Sequence, residues 1–378
     1  MQNFTKSCLL VSLFILIALH VDAQGCVAIR QMGGCSGASG SMLLGKHQFQ
    51  IGTNYRYFRS YKHYRSDTEQ KERVEKHTEV INLSHSVDFN LTYGITDRLS
   101  ATLILPFNFN DRSSLYEHDR VNRYHTQSGG LADIRLSAGY WLLDPKSHHN
   151  GNLNIGLGVK APSGNYQVKD DFHINTDGTI QEKFVDQSIQ LGDGGWGVSL
   201  EAQGYWQLNS KLGMYGNAFY LANPRETNGV TSGRKLPAPD NTPYDMSVPD
   251  QFLVRFGASY AVFQGVQATL GLRYEGVTVN DLIGGSNGFR RPGIVVAAEP
   301  GLSWFFNNIG INVTVPVALY RKRSQSYTDQ LSEQITGKQT NGDAAFADYS
   351  INAGFVYRFG AKKQVAVPVA PVFKDVKN

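Results

Sequence analysis

Long apolar runs are nearly absent from this sequence, which excludes a bundle of membrane-spanning helices. The one long apolar stretch, Cys8–Val21, lies close to the N-terminus. A surplus of charge of one sign is also lacking, because 36 lysines and arginines are interspersed with 32 aspartates and glutamates. Neither a nucleic-acid partner nor a polybasic lipid contact is therefore predicted.

The N-terminal apolar stretch has the features of an export signal. Lys6 precedes it, and small residues stand at positions −3 and −1 of a cleavage site after Ala23. Residues 1–23 are predicted to be a signal peptide, since the stretch is short for an uncleaved anchor helix. A lipoprotein with its lipid on Cys26 is a weaker alternative, because a lipobox usually has leucine where this chain has Ala23.

Cysteine is scarce, with 3 residues in 378, and Cys8 leaves with the signal peptide. Cys26 and Cys35 remain in an exported chain, where disulfides persist, so we expect a Cys26–Cys35 disulfide, with two free thiols as the alternative. Both lie in residues 24–45, which are rich in small side chains. This segment is either a periplasmic leader or a plug that folds into the interior of the domain that follows.

Residues 46–359 consist of segments in which apolar and polar side chains alternate, the pattern of β-strands. In Ile309–Leu319, every second residue is aliphatic and the residues between them are small or polar. Most segments are long enough for the roughly 9–11 residues that a tilted transmembrane strand needs. Twelve are predicted, at 46–59, 78–95, 98–110, 130–143, 152–161, 196–208, 211–222, 249–263, 265–278, 292–306, 308–322 and 346–359.

The connections between these segments alternate in length. Those after the even-numbered segments are short, as at Thr96-Asp97 and Asn209-Ser210, whereas those after the odd-numbered segments are long and polar. An even number of strands with short inner turns and long outer loops is typical of outer-membrane barrels. We therefore predict an all-β fold, a closed antiparallel transmembrane β-barrel of about twelve strands, in the outer membrane of a Gram-negative-type cell.

Hydrocarbon offers no hydrogen bonds, so the apolar row should face lipid and the polar row should line the lumen. The charged residues of the polar row have both signs. They either pair across the interior and hold it together, or line a pore and select solutes. These lumen candidates are Arg56, Asp88, Asp133, Arg135, Lys160, Glu201, Arg255, Arg273, Glu275, Glu299 and Arg358.

The last strand carries a motif at spacing two. Asn352 and Gly354 are followed by the aromatic Tyr357 and Phe359, which resembles the C-terminal signal read by the barrel-assembly machinery. That machinery is therefore a predicted partner. Residues 360–378 follow the motif, although the signal usually ends the chain, and they are predicted to form an extended periplasmic tail.

Three segments of the chain resemble a known family. Gly130–Asp133, Gly156–Gly164 and Gln190–Trp196 are similar to motifs of the meta-pathway-of-phenol-degradation family of outer-membrane proteins, which are described as transporter-like. The family usually has Pro-Thr-Gly where this chain has Pro162-Ser163-Gly164. The resemblance implies passage of small solutes, hydrophobic or aromatic ones included, and it identifies no particular solute.

Two further groups of residues are candidates for chemistry. Arg290 and Arg291 end an outer loop, where they would either bind anionic solutes or lipopolysaccharide phosphates or be solvated. His85 is predicted to face lipid while Ser84 and Ser86 face the lumen, so a lipid hydrolase lacks its nucleophile–base contact. The remaining histidines and aspartates lack the spacing of a metal site.

The sequence thus favours a channel or transporter without a cofactor, with outer-membrane lipids and a small-molecule solute as partners. The alternative is a non-conducting barrel whose outer loops bind a partner or serve structure, and a hydrolase is third. The sequence does not determine whether the lumen is open or plugged, or how many copies associate.

Overall fold

The alternating segments fold into one closed barrel of twelve antiparallel strands, which confirms the predicted fold class. The structure is a computed structural model that describes residues 43–360 and the backbone of residues 24–25. We number the barrel strands β1 to β12 in chain order, and β4 and β11 each consist of two segments. Their bounds are Gln48–Arg65, Ile81–Gly94, Leu99–Ser114, Tyr124–Leu131 with Arg135–Trp141, Gly151–Lys160, Gly197–Gln207, Leu212–Ala222, Gln251–Phe263, Val266–Val277, Gly293–Phe306, Ile309–Thr314 with Val317–Arg323, and Ala344–Gly360.

Closure of the barrel is made by β12 and β1, which pair from Gln48 opposite Gly360 to Tyr64 opposite Ala344. A closed ring leaves no unpaired strand edge, as hydrocarbon requires. The backbone of Gln24–Gly25 adds two further pairs at the outer end of β12. Within the described residues, the helices are all too short or too polar to cross a membrane.

Each predicted strand coincides with a barrel strand, but two of them extend further than predicted and two are interrupted. β1 and β3 continue outward to Arg65 and Ser114, because their outer ends keep pairing after the apolar alternation has stopped. β4 is interrupted at residues 132–134, where three residues oppose two of β3, the geometry of a β-bulge. β11 is interrupted at Pro316, which has no N–H to donate to the ladder.

The connections follow the predicted alternation, except that the inner turn 142–150 is as long as the outer loop 115–123. The inner turns are residues 95–98, 142–150, 208–211, 264–265 and 307–308. The outer loops are residues 66–80, 115–123, 161–196, 223–250, 278–292 and 324–343. They contain the helices Lys71–Glu75 and Tyr327–Thr336, a hairpin of Lys169–His173 with Ile180–Phe184, and a hairpin of Thr227–Lys235 with Pro243–Ser247.

The outside of the barrel is apolar. Leu157 and Leu270 are 62% and 61% exposed, whereas the inward-facing Ser199 is 2% exposed. Apolar side chains thus lie outside and polar side chains inside, the reverse of a soluble protein, as a lipid environment requires. Exposed aromatic residues lie at the inner strand ends, as in the interfacial girdles of membrane barrels; they include Tyr140, Trp206, Tyr260, Trp304 and Phe359.

Several expectations concern residues outside the described part of the chain. The signal peptide over residues 1–23, the Cys26–Cys35 disulfide and nearly all of the tail at 360–378 belong to this group. Most of the leader or plug segment does as well. These remain predictions, as does the role of Asn352, Gly354, Tyr357 and Phe359 in assembly.

Candidate functional site

One wall of the lumen, formed by β8, β9 and β10, consists of paired charges. Arg255 Nε donates to Glu299 Oε2 at 2.7 Å, and Arg273 donates two hydrogen bonds to Glu275, at 2.9 and 2.8 Å. These four side chains belong to residues that are 1–4% exposed. Buried charges require such pairing and hydrogen bonding. At this wall, the charged side chains therefore fit the first alternative, in which charges pair across the interior and hold it together.

The opposite wall, on β11, β12, β1, β2 and β3, is mostly uncharged and polar. Gly354 has no side chain, and the amides of Asn54 and Asn312 occupy that space, because a Cβ at Gly354 would lie 2.9 Å from Asn54 Oδ1. Charge-based reasoning missed this wall, although its residues share the parity of Arg56 and Asp88. Its amides and hydroxyls belong to Asn54, Ser84, Ser86, Asn90, Asn108, Asn110, Asn312 and Asn352.

The other predicted lumen residues also face inward. Arg358 Nε donates to Gln50 Oε1 at 2.8 Å near the inner end. Arg135 lies over the ring of Phe219, 5.6 Å from its centroid. Glu201 lies on β6. Arg56 and Asp88 lie on the polar wall. The predicted set is therefore spread around the barrel and does not form a single ring.

Asp133, Lys160 and Asp193 form a compact cluster, the loop anchor, at the outer end of β4 and β5. Asp133 lies in the bulge and accepts hydrogen bonds from the N–H groups of Gly164 and Asp193, at 2.9 and 3.2 Å. Lys160, 2% exposed, pairs with Asp193 and lies 3.7 Å from Asp133 Oδ2. The three segments that carry the family resemblance thus meet at one point, where both ends of the outer loop 161–196 are fixed.

From the anchor, the outer loop 161–196 folds into the barrel. Its short 3₁₀-helix, Gln187–Ile189, lies against the inner wall, where the Ile189 carbonyl accepts hydrogen bonds from Ser128 Oγ and Asn110 Nδ2. Ile189 is 1% exposed. Loop length and polarity predicted only a long outer loop, and its inward course depends on contacts between residues that are distant in the sequence.

Asp186, at the start of the 3₁₀-helix, joins three parts of the chain. It accepts two hydrogen bonds from Arg291, at 2.9 and 2.6 Å, and lies 3.5 Å from Arg112. Burial alone would raise the pKa of Asp186, but the Arg112 and Arg291 guanidinium groups outweigh it and hold that pKa well below its usual range. The inward loop is thereby tied to the outer loop 278–292.

The expectation for Arg290 and Arg291 is corrected by these contacts. The Arg290 guanidinium donates to both oxygens of Asp281, at 2.7 and 2.6 Å, and both side chains are 0% exposed. A buried guanidinium is neither solvated nor available to lipopolysaccharide phosphates. Arg290 Nε also donates to Ser247 Oγ of the outer loop 223–250, at 3.0 Å, so both arginines connect the outer loop 278–292 to a neighbouring loop.

Between the inward loop and the lumen wall lies a cavity of about 200 Å³. Phe58, Leu191, Leu221, Met246 and Val277 give it an apolar part. Arg56, Asp133, Arg135 and Lys160 from the predicted lumen set contribute to its surface. Uncharged polar side chains are the largest group, namely Ser84, Ser86, Asn108, Asn110, Gln187, Ser188, Gln190, Asn228, Ser247 and Gln251.

The ion pairs of Asp186 predict how the inward loop responds to pH. A folded-state pKa below the unfolded value of about 3.9 gives a stabilisation that is fully present above that pH and is lost as the pH falls through the folded value. We expect the loop to stay docked from pH 8 to about pH 5. A spin label at position 180 should keep constant mobility over this range, and a transition within it would contradict the assignment.

The residues set aside as catalytic or metal-binding candidates have other roles. His85 is on the outer face, where its Nδ1 hydrogen bonds to Tyr55 Oη at 2.8 Å, while Ser84 and Ser86 are buried on the inner side. The ring of His173 stacks on Tyr124 with centroids 3.8 Å apart. Within residues 43–360, no cluster of three potential metal ligands is found.

Comparison with known proteins adds a fold relationship. Neither a family model nor a curated protein matches the sequence. The structure is similar to an outer membrane channel from Pseudomonas putida F1, with 13% identity and a TM-score of 0.54, over 87% of this chain and 100% of that one. A FadL homologue of Pseudomonas aeruginosa has 10% identity and a TM-score of 0.40, over 82% of this chain and 90% of that one. The P. putida toluene transporter TodX has 10% identity and a TM-score of 0.38, over 84% of this chain and 91% of that one.

This likeness shows that the chain has the fold of an outer-membrane β-barrel. It identifies neither the family nor the solute. The resemblance to the meta-pathway-of-phenol-degradation family therefore rests on the sequence motifs, and hydrophobic or aromatic solutes remain what that resemblance implies.

Proposed function

We propose that the protein is an outer-membrane channel for small solutes whose outer half is narrowed by the inward loop 161–196. The observation that carries the proposal is the cavity below this loop, which is lined mainly by hydrogen-bonding side chains inside a barrel with an apolar exterior. Polar lumen groups can replace part of the hydration shell of a passing solute. The similarity to a solved outer membrane channel agrees with this proposal.

The lipid partner follows from the exposed apolar side chains, and assembly by the barrel machinery follows from the C-terminal motif. Both belong to the proposal. The lipid hydrolase is not part of it, because His85 points away from both of its serine neighbours, Ser84 and Ser86.

The test is reconstitution of the full-length mature protein in planar bilayers and liposomes. Discrete current steps, or swelling of liposomes in a permeant solute, are expected from wild-type protein. Membranes with the same amount of heat-denatured protein are the control. A barrel that is correctly folded by heat-modified gel mobility but never passes ions or solutes would contradict the proposal.

One observation favours the alternative of a non-conducting barrel. Arg255 and Glu299, in the middle of the charged wall, are each 1% exposed, so the lumen at their level is closely filled in this conformation. If the alternative holds, replacing an outer loop should abolish the biological phenotype while lumen substitutions leave it unchanged.

The plug hypothesis for the N-terminal segment has its own test. Deletion of residues 27–44 should increase single-channel conductance if that segment fills the lumen. Unchanged conductance in the deletion variant would exclude the plug and leave the inward loop as the restricting element.

A further inference from the structure

We propose that the cavity below the inward loop binds small uncharged polyhydroxylated solutes, such as a six-carbon polyol or a monosaccharide. The inference rests on the proposed channel function and names its solute class. It departs from the hydrophobic or aromatic solutes that the family resemblance implies. Three features of the cavity support it: ion pairs that occupy several of its charged side chains, uncharged side chains that can still form hydrogen bonds, and its size.

Three of the cations in the cavity wall, Lys160, Arg290 and Arg291, are paired with carboxylates. Lys160 is held between Asp133 and Asp193 in the loop anchor. Arg291 makes two bonds to Asp186, and Arg290 is committed to a carboxylate of its own loop. An ionic solute would have to compete with these buried pairs, and breaking a buried pair is costly.

The uncharged groups, by contrast, retain capacity to bond a solute. Within the described residues, the side chains of Ser86 on β2 and Gln251 on β8 have no hydrogen-bond partner, and both line the cavity from different strands. A hydroxyl and an amide each donate and accept. Solute hydroxyl groups, which also do both, match this pair better than a carboxylate or an aromatic ring does.

Further inward, the polar wall continues with unused acceptors. Asp88 Oδ1, Asn90 Oδ1 and Asn312 Oδ1 are buried and lack a hydrogen-bond partner in the described part of the chain. Their residues are 6–8% exposed. Buried acceptors without partners are uncommon and call for a ligand or water. These three acceptors would accept hydrogen bonds from the hydroxyl groups of the same solute once it has moved inward from the cavity.

The size of the cavity limits the solute. A volume of about 200 Å³ equals that of roughly six or seven water molecules. A compact solute with several hydroxyl groups can displace that water and reproduce its hydrogen bonds, as affinity requires. Phe58 provides an apolar surface for the C–H face of such a solute.

The experiment compares wild-type protein with two matched glutamine variants in a liposome swelling assay. Gln251→Met removes the amide from the cavity at nearly constant volume, and Gln203→Met makes the same change on β6, outside the cavity. Ser86→Ala is a second cavity variant in case the first folds poorly. Mannitol, gluconate and glucosamine serve as neutral, anionic and cationic solutes of similar size.

Wild-type protein should swell liposomes faster in mannitol than in either charged solute. Gln251→Met and Ser86→Ala should each slow mannitol entry about fivefold, the effect of one hydrogen bond, whereas Gln203→Met should match wild type. Phenol crosses lipid unaided, so it is added as a competitor and should leave mannitol entry unchanged.

Faster entry of gluconate or glucosamine, suppression of mannitol entry by phenol, or equal rates in all three variants would overturn the solute assignment while leaving the channel intact. Absence of swelling in every solute, together with absence of current steps, would instead contradict the channel itself. The two failures are therefore distinguishable.

Discussion

Replacement of Leu270 by arginine is expected to lower the free energy of unfolding in a bilayer by about 2–4 kcal/mol. Leu270 lies midway along β9, its side chain points outward, and 61% of it is exposed. On a soluble protein such a surface change would have almost no effect. The measurement is reversible denaturant unfolding in lipid vesicles, followed by tryptophan fluorescence.

Leu282→Arg is the matched control, because Leu282 is even more exposed, at 72%, but lies in the outer loop 278–292. Its substitution should change stability by less than about 0.5 kcal/mol. Equal effects of the two substitutions would mean that β9 does not meet hydrocarbon.

Lys160→Met is expected to have the largest effect on the inward loop. It removes the cation of the loop anchor and leaves the carboxylates of Asp133 and Asp193 close together and largely buried. Removal of one partner from a buried ion pair costs about 3–5 kcal/mol. Because the loop can leave the lumen and thereby solvate these carboxylates, we expect it to undock while the barrel stays folded.

Undocking should be visible as an increased single-channel conductance and as faster proteolysis within the hairpin of Lys169–His173 and Ile180–Phe184. The control is Lys169→Met, since the Lys169–Glu182 pair is exposed and is expected to contribute little. Wild-type conductance and proteolysis in Lys160→Met would contradict the anchoring role.

The barrel could be predicted from the sequence because its physics is local. Hydrocarbon on one side and polar groups on the other impose a period of two, and the parity of loop lengths fixes the direction of each strand. Where a strand leaves the hydrocarbon for water, its end is predicted less accurately. β1 runs on to Arg65 because its outer end pairs in water, where no apolar row is needed.

The site was predictable only in part, for a different reason. Parity placed Arg56, Asp133 and Lys160 on the inner face, but partners distant in the chain determine what they do. Asp133 and Asp193 are 60 residues apart and meet only because β4 and β6 both pair with β5. The amide wall was visible in the same alternation, and attention to charge alone passed over it.

The most direct test of the account is the accessibility of spin labels placed one at a time along β9, from Gln267 to Tyr274, with Cys26 and Cys35 changed to serine. Outward positions should be accessible to lipid-dissolved oxygen, and the positions between them should not, with a strict period of two. Uniform accessibility along the strand, or the opposite phase, would contradict a barrel with its apolar face toward lipid and its polar face toward the lumen.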